Sequence, residues 1–163
     1  PLDRLAHARH GLAHQRIVAQ VASCLRARLT GGPCGLLLGP RLRIEATNRT
    51  LAPDLVVVCD ELARSARDRD AIVNPRLIIE VLSPSTEDYD LGTKFAQYRR
   101  IDGLAEYITV AQDRRFAGIS RRVGDLWRFD ETEGPTLKLV SVKVSHDLDE
   151  VYRDGFGDII QPA

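Results

Sequence analysis

Apolar residues recur at helical spacing near the start of the chain and later form short runs that turns separate. Ile17, Val21, Leu25 and Leu29 lie four positions apart, which predicts an amphipathic helix over 14–29. The glycine-rich segment 31–35 ends this helix. Apolar or alternating runs then predict strands within 36–46 (broken at Gly39-Pro40), 53–60, 76–83, 105–110, 115–123, 125–129 and 137–144.

Two further helices complete the predicted order of elements. The turn at 83–86 offers Ser85 or Thr86 as the cap of a helix that runs to about residue 100, and Asp102-Gly103 closes it. A short helix over 147–152 follows the last strand, and polar turns at 123–125 and 133–135 separate the later strands. This order predicts one α/β domain over 1–163, with a central mixed β-sheet flanked by helices and antiparallel C-terminal strands.

The positively and negatively charged residues balance over the whole chain. Lysine and arginine together number 23, as do aspartate and glutamate, so the formal net charge is zero. This balance does not direct the whole protein to nucleic acid or to a membrane, although it leaves room for a local basic groove. The sequence has no methionine and begins with Pro1, so we expect that an initiator residue was removed or that the N-terminus is truncated.

The three cysteines, Cys24, Cys34 and Cys59, form no CxxC pair and have no histidine at metal-ligand spacing. Cys24 lies in the first helical pattern and Cys59 ends an apolar strand, so both are interpreted as small core residues. The odd count, without a signal peptide or a long apolar segment, predicts a protein of the reducing cytoplasm that crosses no membrane.

One acidic residue interrupts the most apolar strand. Glu80 stands between Ile79 and Val81, in a run that is apolar enough to be covered on both faces. An ionised carboxylate buried alone is costly, so we expect Glu80 to be protonated, paired with a cation or bound to a metal ion. The simpler interpretation is a glutamate at the end of a strand that points to solvent or into a salt bridge.

A second acid extends the metal hypothesis. Asp54 follows Pro53 at the start of the valine-rich strand, a place where a turn aspartate is also common. If neighbouring strands bring Asp54 beside Glu80, the two like charges would share a proton or hold a cation. Carboxylate oxygens of this kind suit Mg²⁺.

The helix after the Glu80 strand carries a polar face. Asp90, Lys94 and Tyr98 lie four residues apart and share that face, whereas Leu91 and Phe95 are expected on the core side. Because only a short turn separates the strand from the helix, the polar face is expected to overlook the two acids. The alternative for these three residues is an ordinary salt bridge and a tyrosine on the surface.

Together these residues resemble the Uma-two (Uma2) family of small bacterial endonuclease-like proteins, within the restriction-endonuclease-like PD-(D/E)XK superfamily. The similarity runs from about His14 to Val151. It is carried by Pro53-Asp54, the segment EVLSPST at 80–86, Asp90, Lys94, Tyr98, Gly103 and Glu106-Tyr107. The segment EVLSPST followed by aspartate, lysine and tyrosine at helical spacing is the specific part, since a proline-aspartate pair alone is common.

The resemblance implies a restriction-endonuclease-like fold and Mg²⁺-dependent (or Mn²⁺-dependent) hydrolysis of phosphodiester bonds in DNA. Asp54, Glu80 and the backbone carbonyl of Val81 would hold the metal, and a water activated by the ion would be the nucleophile. Lys94 would orient that water or stabilise charge on the phosphate, and Tyr98 is the further catalytic candidate. Many superfamily members act as dimers, so a homodimer is also expected.

Two features depart from the pattern of the superfamily. The motif lysine two residues after the second acid is Leu82 here, so Lys94 is taken as its substitute. Relatives usually carry a glutamate before the first helix, whereas only Asp3 is acidic before Glu45 here. The second departure favours a rival hypothesis, in which a catalytically degenerate module binds nucleic acid or a protein partner. A structural domain of a larger assembly is a third possibility.

The histidines and the arginine pairs are assigned no catalytic or metal-binding role. His14 is taken as an ordinary polar start of the first helix, and His7, His10 and His146 show no ligand spacing. Arginine pairs at 99–100, 114–115 and 121–122 could contact a phosphate backbone, but such pairs are more often solvated surface.

Overall fold

The computed structural model of the chain describes residues 11–132 and 134–160. The expectations for Asp3, His7, His10 and Glu133 concern positions outside these residues. The helices are α1 (Leu12–Leu29), α2 (Glu87–Tyr89), a π-helical turn (Asp90–Lys94), α3 (Phe95–Tyr98) and α4 (Leu148–Val151), with 3₁₀ turns at Glu45–Thr47 and Val140–Val142. We call the continuous stretch 87–98, formed by α2, the π-helical turn and α3, the site helix.

A six-stranded mixed sheet forms the centre of the fold, with its strands in the order β1 (Cys34–Leu38), β4 (Leu55–Cys59), β6 (Leu77–Leu82), β7 (Glu106–Ala111), β8 (Ala117–Val123) and β9 (Leu126–Thr132). Strands β6 and β7 are parallel and every other neighbouring pair in this sheet is antiparallel. The mixed sheet and the antiparallel C-terminal strands confirm the predicted fold class. The other described strands are β2 (Arg41–Ile44), β3 (Arg49–Leu51), β5 (Ala71–Ile72), β10 (Thr136–Leu139), β11 (Val144–Asp147), β12 (Arg153–Asp154) and β13 (Gly157–Asp158).

The two faces of the central sheet are covered by different elements. The predicted apolar stripe of α1 packs on one face, in a core that includes Ile79 and Val81 of β6. The site helix and the segment after it cover the other face, where Ile78 of β6 contacts Tyr98 and Tyr107 within a second core. Successive residues of a strand point to opposite faces, so Glu80 lies on the same face as Ile78. Glu80 is thereby directed towards the site helix.

The break predicted at Gly39-Pro40 is present, because Gly39 adopts a left-handed conformation (φ 53°) between β1 and β2. The single strand predicted over 137–144 is wrong. This segment forms the hairpin β10–β11, which turns through Val140–Val142 and a left-handed Lys143 (φ 56°). The segment stays rich in apolar residues through the turn, which is why the pattern alone did not reveal it.

Of the two residues predicted on the core side of the site helix, Phe95 packs against the second core, whereas the prediction is wrong for Leu91. Asp90, Lys94 and Tyr98 are buried, whereas Leu91 is 40% exposed. Phe95 is half-buried and stacks on Tyr107 with ring centroids 4.9 Å apart. The polar face turns inward because the residue it meets on the sheet is a buried carboxylate, whose charge needs donors.

The cysteine expectations need a further correction. Cys34 and Cys59 are directly opposite in the antiparallel β1–β4 pair and form a disulfide, which leaves Cys24 as the free thiol. Disulfides persist in oxidising environments, so the cysteines no longer support the predicted reducing cytoplasm. Among the described residues, no helix has both the length and the apolar character needed to cross a membrane.

Glu106 attaches the C-terminal hairpin to the central sheet. Its carboxylate is 2% exposed and accepts from Nε of Arg121 at 2.8 Å. It also accepts from the backbone N–H groups of Val140 (3.1 Å) and Ser141 (2.8 Å), and from the Ser141 hydroxyl. A buried carboxylate with this many donors is stabilising only while its partners are present.

We therefore expect Glu106→Ala to lower the free energy of unfolding by about 3–5 kcal/mol, because it removes one member of a buried ion pair and leaves several donors unsatisfied. Urea denaturation followed by circular dichroism measures this loss. Glu131→Ala, at an exposed position of β9, is the matched control and should change stability by less than about 0.5 kcal/mol. Equal effects of the two substitutions would contradict the attachment role.

Candidate active site

Asp54 and Glu80 meet where the pairing of β4 with β6 ends. The last paired residues are Leu55 and Ile79, so Asp54 stands opposite Glu80 one position farther on. The Asp54 carboxylate accepts from the backbone N–H of Val81 at 2.8 Å, and the Asp54 N–H donates to the Glu80 carboxylate at 3.3 Å. Side chains thus replace the backbone ladder at this point and hold the two acids together.

Glu80 is enclosed on the side of the site helix. It is 1% exposed, and its Oε1 accepts from Lys94 Nζ at 2.7 Å and from the Tyr98 hydroxyl at 2.8 Å. Burial and the neighbouring Glu80 charge raise the pKa of Tyr98, so its hydroxyl keeps its proton and serves as a donor. Glu80 therefore does not point to solvent, but the salt bridge that the simpler interpretation also allowed is present, with Lys94 as the partner.

The π-helical turn positions the remaining members of this cluster. Lys94 Nζ lies 2.9 Å from Asp90 Oδ1, and both side chains are buried. The backbone carbonyl of Asp90 accepts from the Tyr107 hydroxyl at 3.0 Å, which ties the turn to β7. Single π-helical turns inside α-helices often occur at functional sites. The i,i+4 salt bridge considered as an alternative for Asp90 and Lys94 is present, but it is buried, and Tyr98 is buried rather than on the surface.

His14 is a member of the cluster that sequence reasoning missed. Its Nε2 lies 3.2 Å from Asp54 Oδ2, and the ring is buried. Helix α1 begins at Leu12, two residues before the predicted start, so His14 is inside the helix. It lies on the same buried stripe as Ile17 and Val21, three and seven residues further on. A histidine in line with an apolar stripe was the available signal.

The charges of the cluster do not balance. Three carboxylates, those of Asp54, Glu80 and Asp90, surround one lysine, Lys94, with His14 as the only other titratable base in hydrogen-bond contact among the described residues. Uncompensated negative charge in a buried place raises the affinity for a proton or a cation. The cluster therefore favours either a protonated acid or a bound cation.

The pKa values of the two acids move in opposite directions. Burial raises the pKa of Glu80 to about 7; Lys94 opposes this shift, and the charges of Asp54 and Asp90 add to it. Burial also acts to raise the pKa of Asp54, but hydrogen bonding and charge from His14, the Val81 N–H and Lys94 together lower it. Asp54 is thus the member of the pair that stays ionised at neutral pH. Glu80 is the acid whose protonation state changes near neutral pH.

The donor set fits a hard divalent cation. The Asp54 side chain is 13% exposed, so this carboxylate is accessible from solvent. The described hydrogen bonds of Glu80 use Oε1 twice and Oε2 once, and each oxygen has about two acceptor positions. The N–H of Val81 points towards Asp54, and the C=O of a strand residue points to the same side as its N–H. Asp54, Glu80 and the Val81 carbonyl are therefore oxygen donors at the same end of β4 and β6, and oxygen is the ligand type that Mg²⁺ prefers.

Comparison with known proteins places the chain in a family. A family model named Uma2 and described as "Putative restriction endonuclease" matches residues 5–147. The chain belongs to the Uma2 family. An uncharacterized protein of Synechocystis sp., slr1290, is 30% identical over 143 residues, which cover 86% of this chain and 74% of that protein. A second, sll1609, is 33% identical over 100 residues, which cover 61% of this chain and 56% of that protein.

A solved structure shares the fold of this Uma2 protein. It is described as the crystal structure of "a putative nuclease belonging to DUF820 from Anabaena variabilis" and matches with a TM-score of 0.71 at 13% identity. The match covers 86% of this chain and 80% of the other. At this identity the likeness shows the fold, and it agrees with the restriction-endonuclease-like architecture implied by the sequence.

The structure shows what replaces the superfamily lysine in this Uma2 protein and what the arginine pairs contact. Leu82, at the position of the superfamily lysine, is buried, and the amino group beside the second acid comes from Lys94. Most arginines of the three pairs form salt bridges or hydrogen bonds with other residues of the chain. Arg114 pairs with Glu87 at 2.7 Å, and Arg122 donates to the backbone carbonyls of residues 99, 101 and 104. These contacts give both arginines a structural role.

Proposed function

We propose that this Uma2-family protein is a Mg²⁺- or Mn²⁺-dependent endodeoxyribonuclease that hydrolyses phosphodiester bonds in DNA. The observation that carries the proposal is the excess of buried carboxylates at the end of β4 and β6, next to a single lysine. The family description, "Putative restriction endonuclease", supports the same chemistry. A divalent ion would neutralise the surplus negative charge of these carboxylates and would itself contact a phosphodiester.

In this proposal Asp54, Glu80 and the Val81 carbonyl hold the ion. When bound, the ion would supply Lewis-acid polarisation of a phosphodiester oxygen and would lower the pKa of a water. The residues around the acids have positioning roles. Tyr98 and Lys94 fix the Glu80 carboxylate from one side, which leaves Oε2 for the ion.

Lys94 has a further role in the proposed reaction. An ammonium group has three N–H donors; the described hydrogen bond of Lys94 uses one of them, on Glu80, and its contact with Asp90 Oδ1 at 2.9 Å is an ion pair. In the proposed reaction a remaining donor would stabilise charge that develops on a phosphate oxygen. His14 holds the Asp54 carboxylate through Oδ2, the oxygen that also accepts from the Val81 N–H.

A non-catalytic nucleic-acid-binding module is the second candidate function. It is favoured by the enclosure of Glu80, whose Oε1 already accepts two hydrogen bonds and whose side chain is 1% exposed. In that case the Lys94–Glu80–Tyr98 contacts would serve folding, and DNA would be bound without cleavage. The two candidates differ in their response to metal ions.

Nicking of supercoiled plasmid DNA in the presence of Mg²⁺ or Mn²⁺ tests the proposal. We expect the wild type to convert the plasmid to open circles, and Asp54→Asn to slow the conversion by roughly 100-fold or more, because it removes a ligand charge. Asp60→Asn, at the exposed position directly after β4, is the matched control and should nick like the wild type.

Two outcomes would contradict the nuclease proposal. Equal nicking by wild type and Asp54→Asn would place the activity elsewhere or in a contaminant. DNA binding by the wild type without any metal-dependent nicking would favour the non-catalytic module. The predicted homodimer is a separate question, which sedimentation of the same preparations addresses.

A further inference from the structure

A second cluster of metal-ligating side chains lies outside the candidate active site. It consists of Cys24 on α1, His146 on β11 and Glu150 on α4. Cys24 is ten residues beyond His14 on the same helix, which corresponds to about 15 Å along the axis. The three residues are far apart in sequence, and only packing of α1 against the C-terminal segment brings them together.

The ligand atoms of these residues are close to one another. One atom from each side chain lies within 4.8 Å of the other two, and Cys24 Sγ is 4.0 Å from Glu150 Oε2. A tetrahedral zinc ion with bonds of about 2.0–2.3 Å separates its ligand atoms by roughly 3.5 Å. A movement of about 1 Å in these side chains would therefore complete three bonds.

The state of His146 points to a missing ligand. The side chain is 3% exposed, and neither ring nitrogen has a hydrogen-bond partner among the described residues. Buried polar groups are nearly always satisfied, and leaving one unsatisfied is costly. A neutral imidazole has a lone pair on one ring nitrogen, which is the atom that binds a metal ion. An ion bound by one of these nitrogens would remove part of the cost.

We propose that Cys24, His146 and Glu150 form a zinc-binding site that fastens α1 to the C-terminal hairpin and helix. Thiolate and imidazole ligands favour zinc over Mg²⁺ or Mn²⁺, which makes this site chemically distinct from the pair Asp54 and Glu80. Three protein ligands leave a fourth position for water. The thiol proton of Cys24 passes to solvent when the ion binds.

In the metal-free protein, Arg28 pairs with the carboxylate of Glu150 in this site. Its guanidinium donates to Glu150 Oε2 at 2.9 Å and to the backbone carbonyl of Cys24 at 3.3 Å. A bound cation competes with this arginine for the same carboxylate. Removing the guanidinium is therefore expected to tighten zinc binding, an effect that a purely structural cluster would not show.

Chelator-treated full-length protein titrated with Zn²⁺ and with Co²⁺ tests the proposal. We expect Zn²⁺ at about 100 times its Kd to raise Tm by roughly 5–10 °C, since the ion binds only the folded arrangement. Co²⁺ should give a near-ultraviolet thiolate charge-transfer band. Cys24→Ser should remove the band and most of the zinc response, and Arg28→Ala should lower the Kd.

Matched variants separate this site from other metal ligands. The double variant Cys34→Ser, Cys59→Ser lacks the other sulfur atoms and should keep the cobalt band. Asp54→Asn should lose the Mg²⁺ response and keep the zinc response, so failure of the two proposals can be told apart. Glu150→Gln replaces a ligand at an exposed position. The test therefore does not depend on substituting the buried His146, which could prevent folding.

Two results would overturn the zinc site. One is the absence of a cobalt–thiolate band in the wild type. The other is a band or a zinc-induced Tm shift that persists unchanged in Cys24→Ser and in Glu150→Gln.

Discussion

Lys94→Met is expected to lower the free energy of unfolding by about 3–5 kcal/mol and to abolish metal-dependent nicking. Methionine keeps the length of the side chain but has no charge. The substitution leaves the carboxylates of Glu80 and Asp90 buried without the cation that lies 2.7 Å and 2.9 Å from them. One or both acids must then take up a proton, and the carboxylate geometry for a metal is lost.

Urea denaturation in the presence of a chelator measures the stability effect, and plasmid nicking measures the activity. Tyr98→Phe removes a neutral donor from the same Glu80 oxygen, so its cost should be smaller, about 1–3 kcal/mol. Lys138→Met, at an exposed position of β10, is the matched lysine control. A Lys94→Met protein as stable as this control would show that Lys94 does not compensate the buried acids.

Residues of the cluster differed in how far the sequence could predict them. Glu80 was accessible to sequence reasoning because its neighbours in β6 are all apolar, so burial of a carboxylate followed from local pattern alone. Asp54 was harder. Its contact with Glu80 depends on the register of β4 against β6, and a slip of one residue would turn its side chain to the other face. The resemblance to the Uma2 family, rather than periodicity, linked the two.

Other features depend on packing that no local pattern carries. Helical spacing grouped Asp90, Lys94 and Tyr98 correctly, but it could not tell which face turns inward, because a buried acid on the sheet overrides the usual preference for apolar contact. The pairing of Cys34 with Cys59 likewise follows from the register of β1 and β4, and their spacing in sequence does not reveal it.

The pH dependence of stability reports the charge state of Glu80. Its pKa in the folded protein is about 7, above its ordinary value of 4.5, so the folded state favours the protonated form. The stability that this proton supplies is fully present below about pH 4.5 and is lost as the pH rises through 7. A shift of this size corresponds to roughly 3 kcal/mol. Glu80→Gln cannot ionise and lacks this dependence.

We therefore expect the stability of the wild type, relative to Glu80→Gln, to fall by roughly 2–3 kcal/mol between pH 5 and pH 8 in a chelator. Urea titrations at four or five pH values measure the difference. A constant difference over this range would mean that Glu80 keeps one charge state, and that Lys94 alone satisfies the buried acids.

Mg²⁺ should reverse this trend, because the ion and the proton compete for the same carboxylate. At pH 5 a proton already neutralises part of the cluster, so Mg²⁺ should stabilise the wild type little. At pH 8 the surplus charge of Asp54 and Glu80 is exposed to the ion, and the Mg²⁺-induced rise in Tm should be largest. In Glu80→Gln the rise should be small at both pH values. A Mg²⁺ response that is independent of pH, or retained in Glu80→Gln, would show that the ion binds elsewhere.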